Sequence, residues 1–161
     1  MSAVFEEVWS VQRDRLIRAV ALATGDADLA AEAVDEAFAR AYPRWRQVGS
    51  LDQPAGWVYR VAVNWSRSRL RRGRRPVPGW MVPTSEPPVE PTDPQLLASL
   101  AALPSAHRDV VVCRIVLGLS EAQTAAALEV PAGTVKSRLS RALDTLAASV
   151  PRLDEKEASR D

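Results

Sequence analysis

The stretch that decides the fold runs from Ser120 to Leu146, SEAQTAAALEVPAGTVKSRLSRALDTL. Ser120 is a good N-cap, because its hydroxyl can accept one of the free N–H groups of a first helical turn. Ala122, Ala125, Ala126 and Leu128 follow as one apolar face at helical spacing. Val130-Pro131-Ala132-Gly133 interrupts that helix, since proline has no N–H and glycine tolerates unusual dihedrals. Thr134 is the expected cap of a second helix, in which Val135, Leu139, Ala142, Leu143, Leu146 and Val150 recur every three or four positions. Ser137, Ser140, Arg141 and Asp144 lie opposite, with Lys136 and Arg138 on the flanks. A short helix, a tight turn and a longer helix with outward hydroxyls and cations form the layout of a helix-turn-helix reader of duplex DNA. In such a reader the second helix enters the major groove N-terminus first. The plainer alternative is an αα-hairpin with a solvated face.

Working outward, Leu103-Pro104 breaks a helix over about Gln95–Leu103, and Ser105 is placed to cap the next one. Val110 to Leu117 is apolar nearly all round, which makes it the central core helix of the second half, closed by Gly118. Before it, seven prolines fall within residues 76–94 with acids and no cation. That composition predicts an extended linker rather than a helix. The tail from 151 is charged and is expected to be frayed.

The first half reads as three helices. Phe5, Val8, Trp9, Leu16, Ala19, Val20 and Ala23 share one side of the first, and Gly25 is placed to end it. Ala30, Ala33, Val34, Ala37, Phe38 and Ala41 form the buried stripe of the second, which runs from about Asp28 into the Trp45 region. Its opposite face is Glu32, Asp35, Glu36 and Ala39. An arginine-rich loop, Pro43–Ser50, follows with Arg44, Trp45 and Arg46. Pro54 opens the third helix. That helix has Val58, Val61, Ala62 and Trp65 on one apolar stripe and Tyr59, Val63 and Leu70 on another. Its remaining face is Arg60, Asn64, Arg67 and Arg71, with Trp57 beside it. Guanidiniums at that spacing neutralise phosphates, the amide can read a base edge, and aromatic rings stack on unpaired bases. The plainer alternative is a basic solvated face.

Composition bounds these readings. In 161 residues the net charge is only +1, yet residues 60–75 hold seven arginines and no acid. Arginine supplies 19 of the 21 cations, a planar donor fork suited to phosphate and guanine. Cys113 and His107 each stand alone in the chain. This leaves no intramolecular disulfide, no Cys/His metal set and few means for an enzyme. Neither a signal peptide nor a membrane span is legible, so a cytoplasmic protein without cofactor or membrane partner is expected.

With both halves described, the chain resembles the extracytoplasmic function (ECF) sigma factors of bacterial RNA polymerase, most nearly the actinobacterial SigE family. Gly133–Leu143 (GTVKSRLSRAL) and Ala102–Leu128 resemble sigma region 4. Leu29–Trp45 and Pro54–Arg75 resemble region 2. The resemblance implies an all-α fold of two small helical domains. Residues 1–75 would be region 2, binding core polymerase and the −10 element, and 76–94 a flexible linker. Residues 95–150 would be region 4, winged-helix-like or helix-turn-helix, binding the −35 element, and 151–161 a disordered tail. It implies that Thr134, Lys136, Ser137, Arg138, Ser140 and Arg141 contact duplex DNA. Arg44, Trp45, Arg46, Trp57, Arg60, Asn64, Arg67 and Arg71 would hold the opened −10 strand. Glu32, Asp35, Glu36 and Ala39 would dock on the clamp helices of core RNA polymerase, and region 4 on its flap. Promoter DNA and an anti-sigma factor complete the implied partners. The chain departs from the family pattern at Ala33, Asp35, Ser68 and Glu129, the last in a turn position usually held by glycine. The rival reading is a helix-turn-helix regulator independent of polymerase, which leaves the Trp45/Trp57 region and the acidic helix without a role.

Overall fold

The computed structural model describes residues 2–73 and 93–149. The linker expected over 76–94 lies almost wholly outside those residues, as does the charged tail. The described residues are helical, with α1 Ser2–Thr24, α2 Ala27–Ala41, α3 Trp45–Val48 and α4 Pro54–Arg71 in the first half. The second half holds α5 Pro94–Ala102, α6 Ser105–Val111, α7 Glu121–Leu128 and α8 Ala132–Ser149.

α1, α2 and α4 pack on one another through most of the stripes that helical spacing predicts, though Trp9, expected on the apolar side of α1, is exposed. Leu16, Ile17, Val20, Val34, Val58 and Tyr59 are each fully buried. Asp26 caps α2, its carboxylate accepting from the Leu29 N–H at 3.0 Å. Gly25 takes a left-handed φ of 75°, the conformation that ends α1 and that glycine adopts without a Cβ clash. The arginine-rich segment is not an open loop. Tyr42–Arg44 form a 3₁₀ turn that leads directly into α3. Trp45 and Val48 are thereby turned inward, and Phe5 meets the Trp45 ring edge-on at 5.0 Å.

In the second half, α6 runs on into a π-helical turn, Val112–Val116, ended by Gly118 at φ 64°. The extra residue in that turn aims Val112 and Cys113 at the first half. Ser105 is not a cap: Pro104 holds the N-cap position, and no side-chain hydrogen bond is made there. Ser120 caps α7 as expected, within a reciprocal capping box with Gln123. α8 begins at Ala132, two residues before the expected cap Thr134, because the N–H groups of Thr134 and Val135 already donate to the Pro131 carbonyl. The break between α7 and α8 rests on Glu129, at φ 53° and ψ 49°, the one described non-glycine residue with positive φ.

One core runs through both halves. Val112, Cys113, Leu117, Leu119 and Ala127 join the same buried cluster as Leu16, Val34 and Tyr59. Gly56 on α4 allows this approach: a Cβ there would lie 3.0 Å from the Ala127 Cβ. A smaller cluster of Leu100, Leu103, Val111 and Ala142 holds α5, α6 and α8 together, with Leu22 of α1 against it. Shared burial of this kind couples the halves into one unfolding unit. Leu16→Ala in the first half and Leu119→Ala in the second should each destabilise the same transition by about 2–5 kcal/mol. Urea unfolding followed by circular dichroism and by tryptophan fluorescence should give coincident curves. Two separated transitions would contradict a shared core.

Candidate nucleic-acid interface

α8 presents two faces. Val135 and Ala142 are buried, and Leu139 and Leu146 are half-buried against α5 and α6. Lys136, Ser137, Ser140 and Arg141 are exposed together on the outer face. Four of the six duplex-contact candidates therefore form one continuous solvent-facing patch in the first turns of the helix. Thr134 is half-buried, and Arg138 turns toward α4, lining the cleft between the halves.

The basic stripe of α4 lies on the other wall of that cleft. The cleft has a volume of about 170 Å³ and is lined by Tyr59, Arg60, Asn64 and Arg67 from α4, and by Asp109, Val130 and Arg138 from the second half. Arg67 is not presented to solvent as a free cation. It donates through both terminal nitrogens to Asp109, Nη1 to Oδ2 at 2.7 Å and Nη2 to Oδ1 at 2.8 Å. Tyr59 Oη donates to the same Asp109 Oδ1 at 2.9 Å. Arg60 pairs with Glu129, Nη2 donating to Oε2 at 2.8 Å. Asn64 is exposed between them, and Arg71 is exposed beyond the cleft with no ion pair among the described residues. The stripe faces a cleft and not a hydrophobic interior, but acids of the second half already occupy two of its cations.

The protonation energetics follow this geometry. Desolvation pulls the Arg67 guanidinium down, yet the two hydrogen bonds and the charge of Asp109 outweigh it, so its pKa rises on balance. Burial pushes the Tyr59 hydroxyl well up, and the Asp109 charge adds to the shift. The hydrogen bond from Arg60, and then its charge, hold the Glu129 carboxyl below its usual range. Burial likewise pushes the Cys113 thiol up, consistent with its role as a small core residue.

The remaining strand-contact candidates divide. Arg44 and Arg46 are exposed. Trp45 is only 6% exposed, so its ring belongs to the core and is not free to stack on a base. Trp57 is half-buried and packs on both hydrophobic clusters nearby. A polar loop context suggested exposure for Trp45; the unforeseen helix α3 turns it inward.

On α2 the acidic face is present, with Glu32, Asp35 and Ala39 exposed and Glu36 half-buried. Its acids are paired within the chain. Arg13 of α1 grips Asp35 through Nε at 2.8 Å and Nη2 at 2.9 Å. Arg40 holds Glu36 at 2.9 Å, and Arg69 lies 3.8 Å from Glu32. Exposed apolar rings flank this face, with Trp9 and Tyr42 lining a groove beside Asp35 and Ala39.

Two residues escaped the sequence reading. Asp109 sits in a helix that looked apolar nearly all round, and no helical wheel could pair it with an arginine 42 positions away. Arg108 donates to the carbonyls of Leu100, Ala101 and Leu103 at the end of α5 and to Ala23 at the end of α1. One cation thereby satisfies the free carbonyls of two helix C-termini, where the helix dipole favours positive charge. A third tie runs from Gln123 Nε2 to Asp52 Oδ2 at 2.7 Å.

The described residues thus form an all-helical protein with a helix-turn-helix whose polar face is open, beside a helical half carrying a basic stripe. The sigma-70 region 4 profile matches residues 94–146. The RNA polymerase sigma-E factor of Streptomyces coelicolor is 34% identical over 151 residues, covering 88% of this chain and 83% of that protein. The ECF sigma factor SigL of Mycobacterium tuberculosis is 33% identical over 141 residues, covering 81% and 79%. Two solved structures share the fold. They are the sigma factor RpoE in complex with the anti-sigma factor NepR from Bartonella quintana and CnrH in complex with the cytosolic domain of CnrY. The TM-scores are 0.71 and 0.63, at 20% and 22% identity. RpoE is covered over 90% of this chain and 95% of that one, CnrH over 92% and 88%. The chain belongs to the ECF RNA polymerase sigma factors.

Two measurements probe the cleft. Asp109→Ala leaves a partly buried guanidinium and a buried hydroxyl without their acceptor, and should cost about 3 kcal/mol in denaturant unfolding. The Glu129 carboxyl should titrate below the ordinary carboxylate value and return to it in Arg60→Ala. Because its folded value is depressed, the Arg60–Glu129 contact contributes above the ordinary carboxylate value and is lost as pH falls through the lowered one. Carboxyl-detected NMR reads both values.

Proposed function

We propose that this sigma factor brings core RNA polymerase to promoters through two surfaces and assists opening of the −10 element with a third. The observation that carries the reading is the exposed patch Lys136, Ser137, Ser140 and Arg141 on the first turns of α8, backed by buried Val135 and Ala142. Such a helix can enter the major groove with two cations for phosphates or guanine and two hydroxyls for either. Thr134 and Arg138 flank the patch and serve as backbone contacts.

The α4 stripe of Arg60, Asn64, Arg67 and Arg71, together with the exposed Arg44 and Arg46, is suited to a separated strand whose phosphates replace the carboxylates now paired on Arg60 and Arg67. Flipping a base from the stack costs a few kcal/mol. Phosphate neutralisation by these arginines, with counterion release, offsets that cost. Trp57 remains half-buried and borders this surface. Trp45 supports it from within, a change from the direct stacking role its sequence context suggests.

The Glu32, Asp35, Glu36 and Ala39 face of α2 is the docking surface for polymerase. Trp9 and Tyr42 supply apolar area beside the acids, a mixture typical of protein interfaces. Because Arg13 and Arg40 already neutralise Asp35 and Glu36, docking draws on shape and apolar burial as well as charge. An anti-sigma protein is a further expected partner. No helix among the described residues is long and apolar enough to cross a membrane.

Purified protein with core polymerase should yield promoter-specific transcripts from genomic templates. Asp35→Arg/Glu36→Arg should abolish core binding in a pull-down while leaving the fold intact. Lys136→Ala/Arg141→Ala should keep core binding, lower transcription about ten-fold or more, and reduce the salt slope of duplex binding by about two. Tight operator binding with no affinity for polymerase would favour the polymerase-independent regulator.

A further inference from the structure

Asp109 and Glu129 have no part in the promoter contacts just described, yet both are aimed at the surface that makes them. Asp109 is 9% exposed and takes the whole fork of Arg67. Two carboxylate oxygens on a guanidinium fork reproduce the geometry of two phosphate oxygens. Glu129 is exposed and takes Arg60, about two turns earlier along α4. Its backbone makes the case more specific. A left-handed φ of 53° is unfavourable for glutamate, and glycine would hold the same turn without strain. The strained turn places a carboxylate on the cation stripe of the other half.

From this geometry we infer that the second half autoinhibits the first, Asp109 and Glu129 standing in for phosphates on Arg67 and Arg60, so that DNA strand and second half compete for one seat. The inference rests on the strand-binding reading of α4. The cleft holds the competing groups in order, with Arg60, Asn64 and Arg67 on one wall and Asp109 and Arg138 on the other. Closure also draws Arg138 of α8 into the cleft, while Lys136, Ser137, Ser140 and Arg141 stay exposed. The two latches differ in kind. The exposed Arg60–Glu129 pair is screened by salt, whereas Arg67–Asp109, with Tyr59 behind it, is shielded. Strand affinity is then set by the fraction of molecules that are open.

The test uses the full chain and a fluorescein-labelled oligodeoxythymidine of about twelve nucleotides, with the radius of gyration from small-angle X-ray scattering. Glu129→Gln should tighten oligonucleotide binding about three-fold, and Asp109→Asn/Glu129→Gln about ten-fold, each with a larger radius at low salt. Glu121→Gln removes an exposed acid that makes no ion pair among the described residues, and should change neither. Glu129→Gly separates latch from turn, because it should raise thermal stability by relieving the strained φ and still open the molecule. Affinities equal to that of Glu121→Gln, or tighter binding at an unchanged radius, would overturn the inference. If Asp109→Asn fails to fold, the exposed Glu129 variants decide. Failure of the wild type to give promoter transcripts with core polymerase would strike the functional reading instead, since neither assay here contains polymerase.

Discussion

The carboxylate of Asp109 is the constraint on which the arrangement of the two halves depends. A charge that is 9% exposed must find partners, because desolvation without compensation costs several kcal/mol. It finds Arg67 and Tyr59, both on α4 of the other half. Once those bonds are made, α6 is set against α4, and the π-turn after it delivers Val112 and Cys113 to the common core. Arg108, next in the chain, fastens the same helix to the ends of α1 and α5. The polar ties set the register, and the apolar burial behind them supplies most of the cohesion.

The same ties give the two proposed DNA surfaces unequal standing. The polar face of α8 is open because its apolar stripe is satisfied by α5 and α6, leaving the polar side nothing to pack against. The α4 stripe is closed because its cations meet acids at matching height. A guanidinium does not distinguish in principle between carboxylate and phosphate oxygens. A basic face within the same chain as well-placed acids is therefore prone to bind itself. Arginine-rich α4 and the acids at 109 and 129 are two parts of one electrostatic balance.

The acidic face of α2, proposed above to meet polymerase, shows a related economy of charge. Asp35 and Glu36 keep their exposed positions but are shared with Arg13 and Arg40. Exposed ion pairs contribute little to stability, on the order of 0–1 kcal/mol. Their effect here is to fix the acids' rotamers and to moderate the field of α2. The face then depends more heavily on Trp9 and Tyr42 for burial.

Sequence alone determined the long helices, most of their buried stripes, the Ser120 cap, the open patch on α8 and the sigma-factor kinship. All of these follow from local periodicity, capping chemistry and motif order, which act over a few residues. It marked Glu129 as out of place in its turn without showing that the backbone there is left-handed. Only the tertiary structure decided that Trp45 is a core ring and that Arg60 and Arg67 are already engaged. Those outcomes depend on contacts between residues as many as 69 positions apart. A helical wheel shows which way a side chain points, but not what waits there, because the partner's place is set by packing of the whole chain.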